Sequence, residues 1–180
     1  MVALLVRLLM LGNTAQAASP KAHNGNKTGE ASTRTVKTCD GGATELKANE
    51  KRVLDLHNEV REKHGLVKLC IDPTLEKAAR THSKEMIDKD YFSHNSYSGE
   101  SSGDCLTRFG YRWWASGENI ASGAGSQSKP EDRLEAWMKS PGHKKNILDK
   151  NFRKVGVGSA RGNFEGYEQT LYTVDFGTRH

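Results

Sequence analysis

Three residues suited to chemistry stand where segments of predicted secondary structure begin or end: His94, Glu118 and His143. His94 closes the run Tyr-Phe-Ser-His, Glu118 opens Glu-Asn-Ile, and His143 follows a Pro-Gly pair. Imidazole is a common metal ligand that a carboxylate can orient, so two histidines and a glutamate fit an open Zn²⁺ site. A hydrogen-bonded polar cluster that holds loops together explains the same residues. Spacing alone leaves both interpretations open.

The other histidines are poorer candidates for a metal site. His57 and His64 lie seven residues apart on one predicted helix face, but Arg61 stands where the zinc-protease motif needs its second histidine. Both are predicted to be structural or surface residues. His82 lies on the apolar stripe of the next helix and is predicted to be a hydrogen-bonded core histidine. The sequence has neither a Gly-x-Ser-x-Gly elbow nor a phosphate-binding loop, which argues against serine hydrolases and nucleotide-binding proteins.

The elements that must position these residues are helices first and strands last. Apolar spacing and capping patterns predict four helices. The first covers residues 46–64, and the second has Asp72 as its N-cap and Pro73 in its first turn. The third begins near Asp104, and the fourth begins at the 128–131 capping box. Strands are predicted over 155–158 and 171–176, with 161–166 as the turn between them. This order indicates an α+β fold with one domain.

The first 45 residues are expected to precede the folded domain, which is predicted to span residues 46–180. An apolar start followed by Ala15-Gln16-Ala17 fits a secretory signal peptide over residues 1–17. Residues 18–45 are polar without apolar periodicity, which predicts a disordered leader. No later apolar run approaches the about 20 residues of a membrane span. A secreted, extracellular protein without a transmembrane segment is expected.

Charge and cysteine content narrow the partners further. The net charge is +5, with acidic and basic residues intermixed, which argues against a nucleic-acid-binding face. Three cysteines in an exported chain predict one disulfide and one free thiol. Cys70 with Cys105 is the favoured pair because both lie in the predicted domain. A bond from Cys39 to either of them is the rival pairing.

Several segments together resemble the CAP superfamily, which includes cysteine-rich secretory proteins, insect antigen 5 and plant pathogenesis-related proteins. The likeness is greatest to its short bacterial secreted branch and covers about residues 54–177. It depends on motifs that appear in family order: Leu56–Arg61, Tyr91–His94, Gly117–Ile120, Ser140–His143 with Asn146–Leu148, Phe152–Gly158 and Thr173–Gly177.

The resemblance implies a three-layer α-β-α sandwich with a central antiparallel sheet, and a surface cavity built from two histidines and two glutamates. His94, Glu118 and His143 match three of those positions by motif. The fourth, one turn after the helix tryptophan, is Ser140 in this sequence. The site is therefore predicted to have one carboxylate fewer, which weakens any mechanism that needs paired acids.

Three functions follow from these observations. The first is a secreted, monomeric, non-enzymatic binding module for lipids, sterols or cell-wall components, which requires no cofactor. The second is a metal-dependent hydrolase, with Zn²⁺ on His94 and His143 and Glu118 as general base. In the third, the His/Glu cluster is structural and function lies on the loops 95–103 and 122–128.

Overall fold

The structure, a computed structural model, describes residues 32–179. The predicted signal peptide and the predicted leader up to residue 31 lie outside the described residues. Along the described part the elements run in the order β1 (Thr33–Lys37), β2 (Ala43–Lys47), α1 (Ala48–Lys63), β3 (Cys70–Ile71), α2 (Pro73–Lys89), α3 (Ser102–Arg108), β4 (Trp113–Ala124), α4 (Pro130–Lys139), α5 (Pro141–Leu148), β5 (Lys154–Phe164) and β6 (Tyr167–Arg179).

The strands form two sheets. β1 and β2 pair as an antiparallel hairpin, and the other strands form a sheet in the order β3-β5-β6-β4. β5 and β6 form an antiparallel pair, as predicted. β4 also pairs antiparallel with β6, and the two-residue β3 pairs with β5 in parallel. β4 is thereby an outer strand, and its free edge becomes important for the site.

Helices cover both faces of the four-stranded sheet. α2 lies very close to one face because Gly156 and Gly158 leave no side chain between them: a Cβ on Gly156 would stand 2.0 Å from the carbonyl carbon of Leu75. The opposite face carries α1, α4 and α5 around a core that includes Val53, Trp137, Ile147, Val157, Val174 and Phe176. The predicted α+β class and three-layer α-β-α sandwich are confirmed.

The N-terminal boundary of the folded part is earlier than predicted. Residues 33–45, expected to be a disordered leader, form β1 and much of β2, and Leu46 at the end of the hairpin is fully buried. The backbone N–H of Cys39 donates to the carbonyl of Ile71 at 2.8 Å, so the hairpin loop lies against β3. Composition failed here because ladder hydrogen bonds and a covalent link hold a segment with little apolar surface.

That covalent link also corrects the predicted disulfide. Cys39 is bonded to Cys70, with Cα atoms 5.2 Å apart, so the rival pairing is right and the favoured Cys70–Cys105 pair is wrong. Cys105 is a free thiol on α3, beside Glu100 and Arg108. Both cysteines of the bond lie on neighbouring β segments, whereas α3 follows α2 on a different part of the fold.

Several element boundaries also differ from those predicted. β4 was missed because its glycines, serines and alanines obscure the alternation of a strand. α5 begins directly at Pro141, which takes the first helical position, where its missing N–H costs nothing. The turn between β5 and β6 is only Glu165-Gly166, so residues 161–164 continue the strand. α4 begins after Lys129 rather than at a Ser128 cap.

Arg61, which stands in place of a metal ligand, has a structural role. Its side chain is fully buried on α1. The guanidinium donates to four backbone carbonyls, those of Val67, Ile147, Asp149 and Phe152, at 2.8–3.0 Å. These bonds fix the end of α5 and the chain that follows it.

Candidate functional site

The free edge of β4 is covered by side chains from α4 and α5. An outer strand exposes unpaired carbonyls, which natural proteins usually protect. Here three alternate carbonyls accept side-chain donors, in the pairs Asn146 Nδ2 to Glu118 O at 3.1 Å, Trp137 Nε1 to Ile120 O at 3.0 Å, and Arg133 to Ser122 O. Side chains of α4 and α5 therefore bind the free edge of β4, the strand that carries Glu118.

Two asparagines connect the Gly-Glu-Asn and Pro-Gly-His motifs. Asn146 Nδ2 lies 2.9 Å from Asn119 Oδ1, and Asn119 Nδ2 donates to the carbonyl of His143 at 3.1 Å. The first turn of α5 is therefore held against β4 by amide hydrogen bonds. This explains in physical terms why the two motifs occur together.

Glu118 is the centre of the cluster on the other side of β4. Its side chain is only 3% exposed, and both carboxylate oxygens accept hydrogen bonds from imidazoles. His94 Nδ1 donates to Oε1 at 2.7 Å, and His82 Nδ1 donates to Oε2 at 2.8 Å. The predicted pairing of His94 with Glu118 is observed, and a second histidine completes it.

These contacts fix the charges of the cluster. Burial acts to raise the pKa of Glu118, but the hydrogen bonds from His82 and His94 outweigh it and leave that pKa below its usual value. The hydrogen bond to Glu118 raises the pKa of His94 despite partial burial. Glu118 is therefore a stable anion and His94 is favoured as a cation.

A second acid that was not predicted lies beside Glu118. Asp175 on β6 is the direct cross-strand partner of Glu118 and is only 2% exposed. Burial, with a further contribution from the Glu118 charge, raises the pKa of Asp175 well above its usual value. The cluster thus contains two carboxyl groups, one ionised and one favoured as the neutral acid.

His143 reaches the same edge from the α5 side. Its pKa is lowered by partial burial and by the charge of His94. Its backbone carbonyl is bonded to Asn119. All three predicted residues therefore meet at the edge of β4, but His143 is not hydrogen-bonded to Glu118.

His82 has a partner that the sequence did not indicate, and one acid of the cluster was not predicted. His82 is hydrogen-bonded, as predicted, but its partner is Glu118, and its Nε2 is buried without a partner among the described residues. Its helical position gave no indication of this, since the apolar stripe of α2 and the cluster share one face. Asp175 lies in the strand-like run 171–176, but only the register of β4 and β6 places it opposite Glu118. His57 and His64 bond to carbonyls of their own helix, as expected of structural residues.

The donor set does not match a metal site as it is arranged. Among residues 32–179, no three His, Cys, Asp or Glu side chains converge in a way that would hold a metal ion. Glu118 has both oxygens occupied by imidazole donors, so it would have to leave them to become a ligand or a base. His94 and His143 alone supply two ligands, one fewer than open zinc sites use.

The segment 91–100, hereafter the His94 loop, is fixed at both ends. Glu85 on α2 accepts from the Tyr91 hydroxyl at 2.5 Å and from the Tyr97 backbone N–H at 3.2 Å. The N–H of Ser96 donates to the carbonyl of Glu100 at 2.9 Å. With the bond from His94 to Glu118, these contacts attach the loop to α2 and β4.

Known proteins are similar to this chain in sequence or in fold. YkwD of Bacillus subtilis is 44% identical over 128 residues, which are 71% of this chain and 49% of that protein. An extracellular protein with an SCP domain from Bacillus anthracis has a TM-score of 0.62 and 35% identity, over 73% of this chain and 40% of that one. An outer surface protein of Borrelia burgdorferi shares the fold at a TM-score of 0.62 and 22% identity, over 83% of this chain and 100% of that one.

Two of these matches are to parts of longer proteins. This chain spans about half the length of YkwD and less than half of the Bacillus anthracis chain. Among the described residues, no helix has the length and apolar character needed to cross a membrane. The profile of the cysteine-rich secretory protein family matches residues 54–176, more than half of the sequence. The chain belongs to this family, the CAP family.

Proposed function

We propose that this chain is a secreted, non-enzymatic binding domain in which the His/Glu cluster fixes the His94 loop for recognition of a cell-surface component. The observation that carries this proposal is the full engagement of Glu118 by His82 and His94. A buried carboxylate with both oxygens bonded and a lowered pKa is a poor general base. It is well suited to hold a loop.

Two further observations support an extracellular role. The Cys39–Cys70 disulfide is typical of proteins in oxidising compartments. The Bacillus anthracis protein that this chain resembles is itself described as extracellular. Binding at a cell surface or wall is consistent with both.

The test is direct binding with purified protein. Labelled sterols, fatty acids and cell-wall fragments are titrated against the wild type and against Glu118→Gln, and stability is measured in parallel. Saturable binding of one class that weakens in the folded variant supports the proposal. Saturable binding that is identical in both proteins places the site elsewhere, and no binding to any class rejects the proposal.

A metal-dependent hydrolase is the second candidate, and one observation favours it: His94 bonds to Glu118 and the carbonyl of His143 accepts from the adjacent Asn119, so both histidines lie at the same part of β4. Zn²⁺ between them would need Glu118 to release its imidazole partners. Calorimetric titration with Zn²⁺ compares the wild type with a His94→Ala, His143→Ala double variant. A saturable heat lost in the variant supports a metal site, and identical titrations exclude one at these residues.

A further inference from the structure

We propose that the His94 loop and the start of α5 form one recognition surface for an anionic polysaccharide; this deepens the proposed function and depends on it. The surface is defined by Phe92, His94 and Tyr97 on the loop and by Lys144 and Lys145 on α5. The aromatic rings of Phe92 and Tyr97 supply flat faces on which sugar rings can stack. The lysines supply partners for the carboxylate or other acidic groups of the polysaccharide.

The exposed rings are the first part of the argument. Phe92 is 45% exposed and Tyr97 is 64% exposed, although both are large apolar side chains. They are not loose: the Phe92 ring contacts Phe164 at 6.4 Å between centroids, and Tyr97 contacts Tyr91 at 5.7 Å. Lys89 lies over the Tyr97 ring at 5.6 Å. Rings that are held in place while still exposed lose little conformational entropy when a ligand binds.

The composition of the loop points the same way. Between Phe92 and Tyr97 stand two serines, a histidine and an asparagine, of which only Ser96 is buried. Rigid aromatic anchors among small, adaptable hydrogen-bonding residues are typical of surfaces that bind polar macromolecules, such as antibody loops. A polysaccharide offers both apolar ring faces and many hydroxyl groups, so it complements this mixture.

Charge selects an acidic polysaccharide over a neutral one. Lys144 and Lys145 are exposed and form no ion pair with any carboxylate of the described residues. They follow His143, whose backbone carbonyl accepts from Asn119, while His94 bonds to the neighbouring Glu118. The start of α5 and the His94 loop are thus attached to adjacent residues of β4. This arrangement attracts an anionic polymer.

The cavity between α2, α3 and the His94 loop is too small to enclose a lipid. The cavity beside His82, lined also by Glu85 and Cys105, has a volume of about 30 Å³, enough for a water molecule. Pockets that enclose drug-sized ligands have volumes of roughly 300–1,000 Å³ and mostly apolar walls. An extended ligand on the open surface fits the geometry better than an acyl chain or a sterol.

The experiment compares two glycans that differ in charge. Hyaluronan oligosaccharides alternate N-acetylglucosamine with glucuronate, whereas chitin oligosaccharides contain N-acetylglucosamine alone. Calorimetry with the full chain at roughly 50 and 300 mM salt is expected to show hyaluronan binding that weakens as salt screens the charges. Chitin binding is expected to be weaker and insensitive to salt.

Two sets of variants locate the surface. Tyr97→Ser is expected to weaken hyaluronan binding by about tenfold or more, since buried aromatic anchors dominate interfaces. Lys144→Gln with Lys145→Gln is expected to weaken it by about fivefold and to remove the preference over chitin. The matched controls are Val67→Ser, which removes an exposed apolar side chain elsewhere, and Lys37→Gln with Lys63→Gln, which removes two exposed charges elsewhere. Both controls should bind like the wild type.

The outcomes separate this inference from the proposed function. Equal affinity for the two glycans, or variants that bind like their controls, overturns the polysaccharide assignment. If hyaluronan fails while a sterol, fatty acid or wall fragment binds with dependence on Glu118, only the ligand class is wrong. If nothing in either panel binds, the proposed function fails as well.

Discussion

Glu118 and Asp175 face each other across β4 and β6, on the side of the sheet that α2 covers, and both are buried. Two like charges directly opposite on a sheet destabilise it. The pair resolves this conflict by different protonation, because the imidazoles of His82 and His94 stabilise Glu118 as an anion while burial favours Asp175 as a neutral acid. The cluster therefore holds two carboxyl groups and one stable negative charge.

Asp175→Asn is expected to increase stability at neutral pH. The raised folded pKa of Asp175 contributes stability below its unfolded value near 3.8, and that stability is lost as pH rises towards the folded pKa. Asparagine mimics the neutral acid and escapes this loss. The variant should therefore gain on the wild type by about 1.4 kcal/mol per pH unit within that window.

Denaturant unfolding at several pH values between 4 and 8 measures the effect. Asp88→Asn is the control, because Asp88 is an exposed acid paired with Lys84, and its replacement should change stability by less than about 1 kcal/mol. A gain for Asp175→Asn that does not depend on pH would show that Asp175 is ionised in the folded protein.

His57 is expected to make the protein less stable in acid. It is fully buried between Trp137 and Phe176, and burial lowers its pKa to about 4 from 6.5. A lowered folded pKa gives stability that is present above 6.5 and is lost as pH falls towards 4. The loss attributable to His57 is on the order of 3 kcal/mol.

Two variants are compared, so that the test still works if one of them does not fold. His57→Phe keeps a packed ring, and His57→Gln keeps a donor for the Val53 carbonyl. Thermal unfolding between pH 4 and pH 7.5 should show a shallower acid loss for both than for the wild type. Unchanged profiles in both variants would mean that other groups control the acid sensitivity.

Loss of the Cys39–Cys70 bond is expected to cost about 3–4 kcal/mol, from the entropy of the loop it closes in the unfolded chain. The bond joins residues 31 positions apart. Cys39→Ser should lower the unfolding midpoint and make the hairpin of β1 and β2 sensitive to proteases. Cys105→Ser, which removes only the free thiol, should have a small effect. Equal stability of Cys39→Ser and the wild type would show that the hairpin docks without its disulfide.

Asn146 is expected to be essential for the edge of β4. Its amide donates to the Glu118 carbonyl and contacts Asn119 Oδ1. Asn146→Ala would leave these buried groups without partners, at a cost of about 1–3 kcal/mol each. Unfolding free energies should show a clear loss for this variant and little change for Lys150→Ala, an exposed residue beyond α5. If Asn146→Ala loses no more unfolding free energy than Lys150→Ala, the contacts of Asn146 at the edge of β4 do not stabilise the fold.

Sequence patterns identified what is local or shared by the family. Helix α2 follows from Asp72, whose carboxylate caps the N–H groups of Thr74 and Leu75. The motifs pointed to His94 and Glu118, which the structure joins by a hydrogen bond. Long-range register was beyond such patterns. Asp175 and His82 join the site only through the pairing of β4 with β6 and the rotation of α2, and neither leaves a trace in local composition.

The same limit applies to the N-terminal hairpin. Its strands are polar and short, so periodicity and composition both indicated disorder over residues 18–45. The partners that order residues 33–45 are Ile71 and Cys70, which lie about 30 residues further along the chain. A single sequence does not show which cysteines pair, because the pairing depends on the position at which the hairpin loop contacts β3.

The central claim is that Glu118 holds the His94 loop in place. Amide hydrogen exchange over residues 91–100, in the wild type and in Glu118→Gln, tests it most directly, with α1 amides as the internal reference for global stability. Glutamine accepts well from only one imidazole, so the account predicts exchange in the loop that is faster by about tenfold or more, while α1 changes much less. Loop exchange that matches the wild type, or that changes only in proportion to α1, would contradict it.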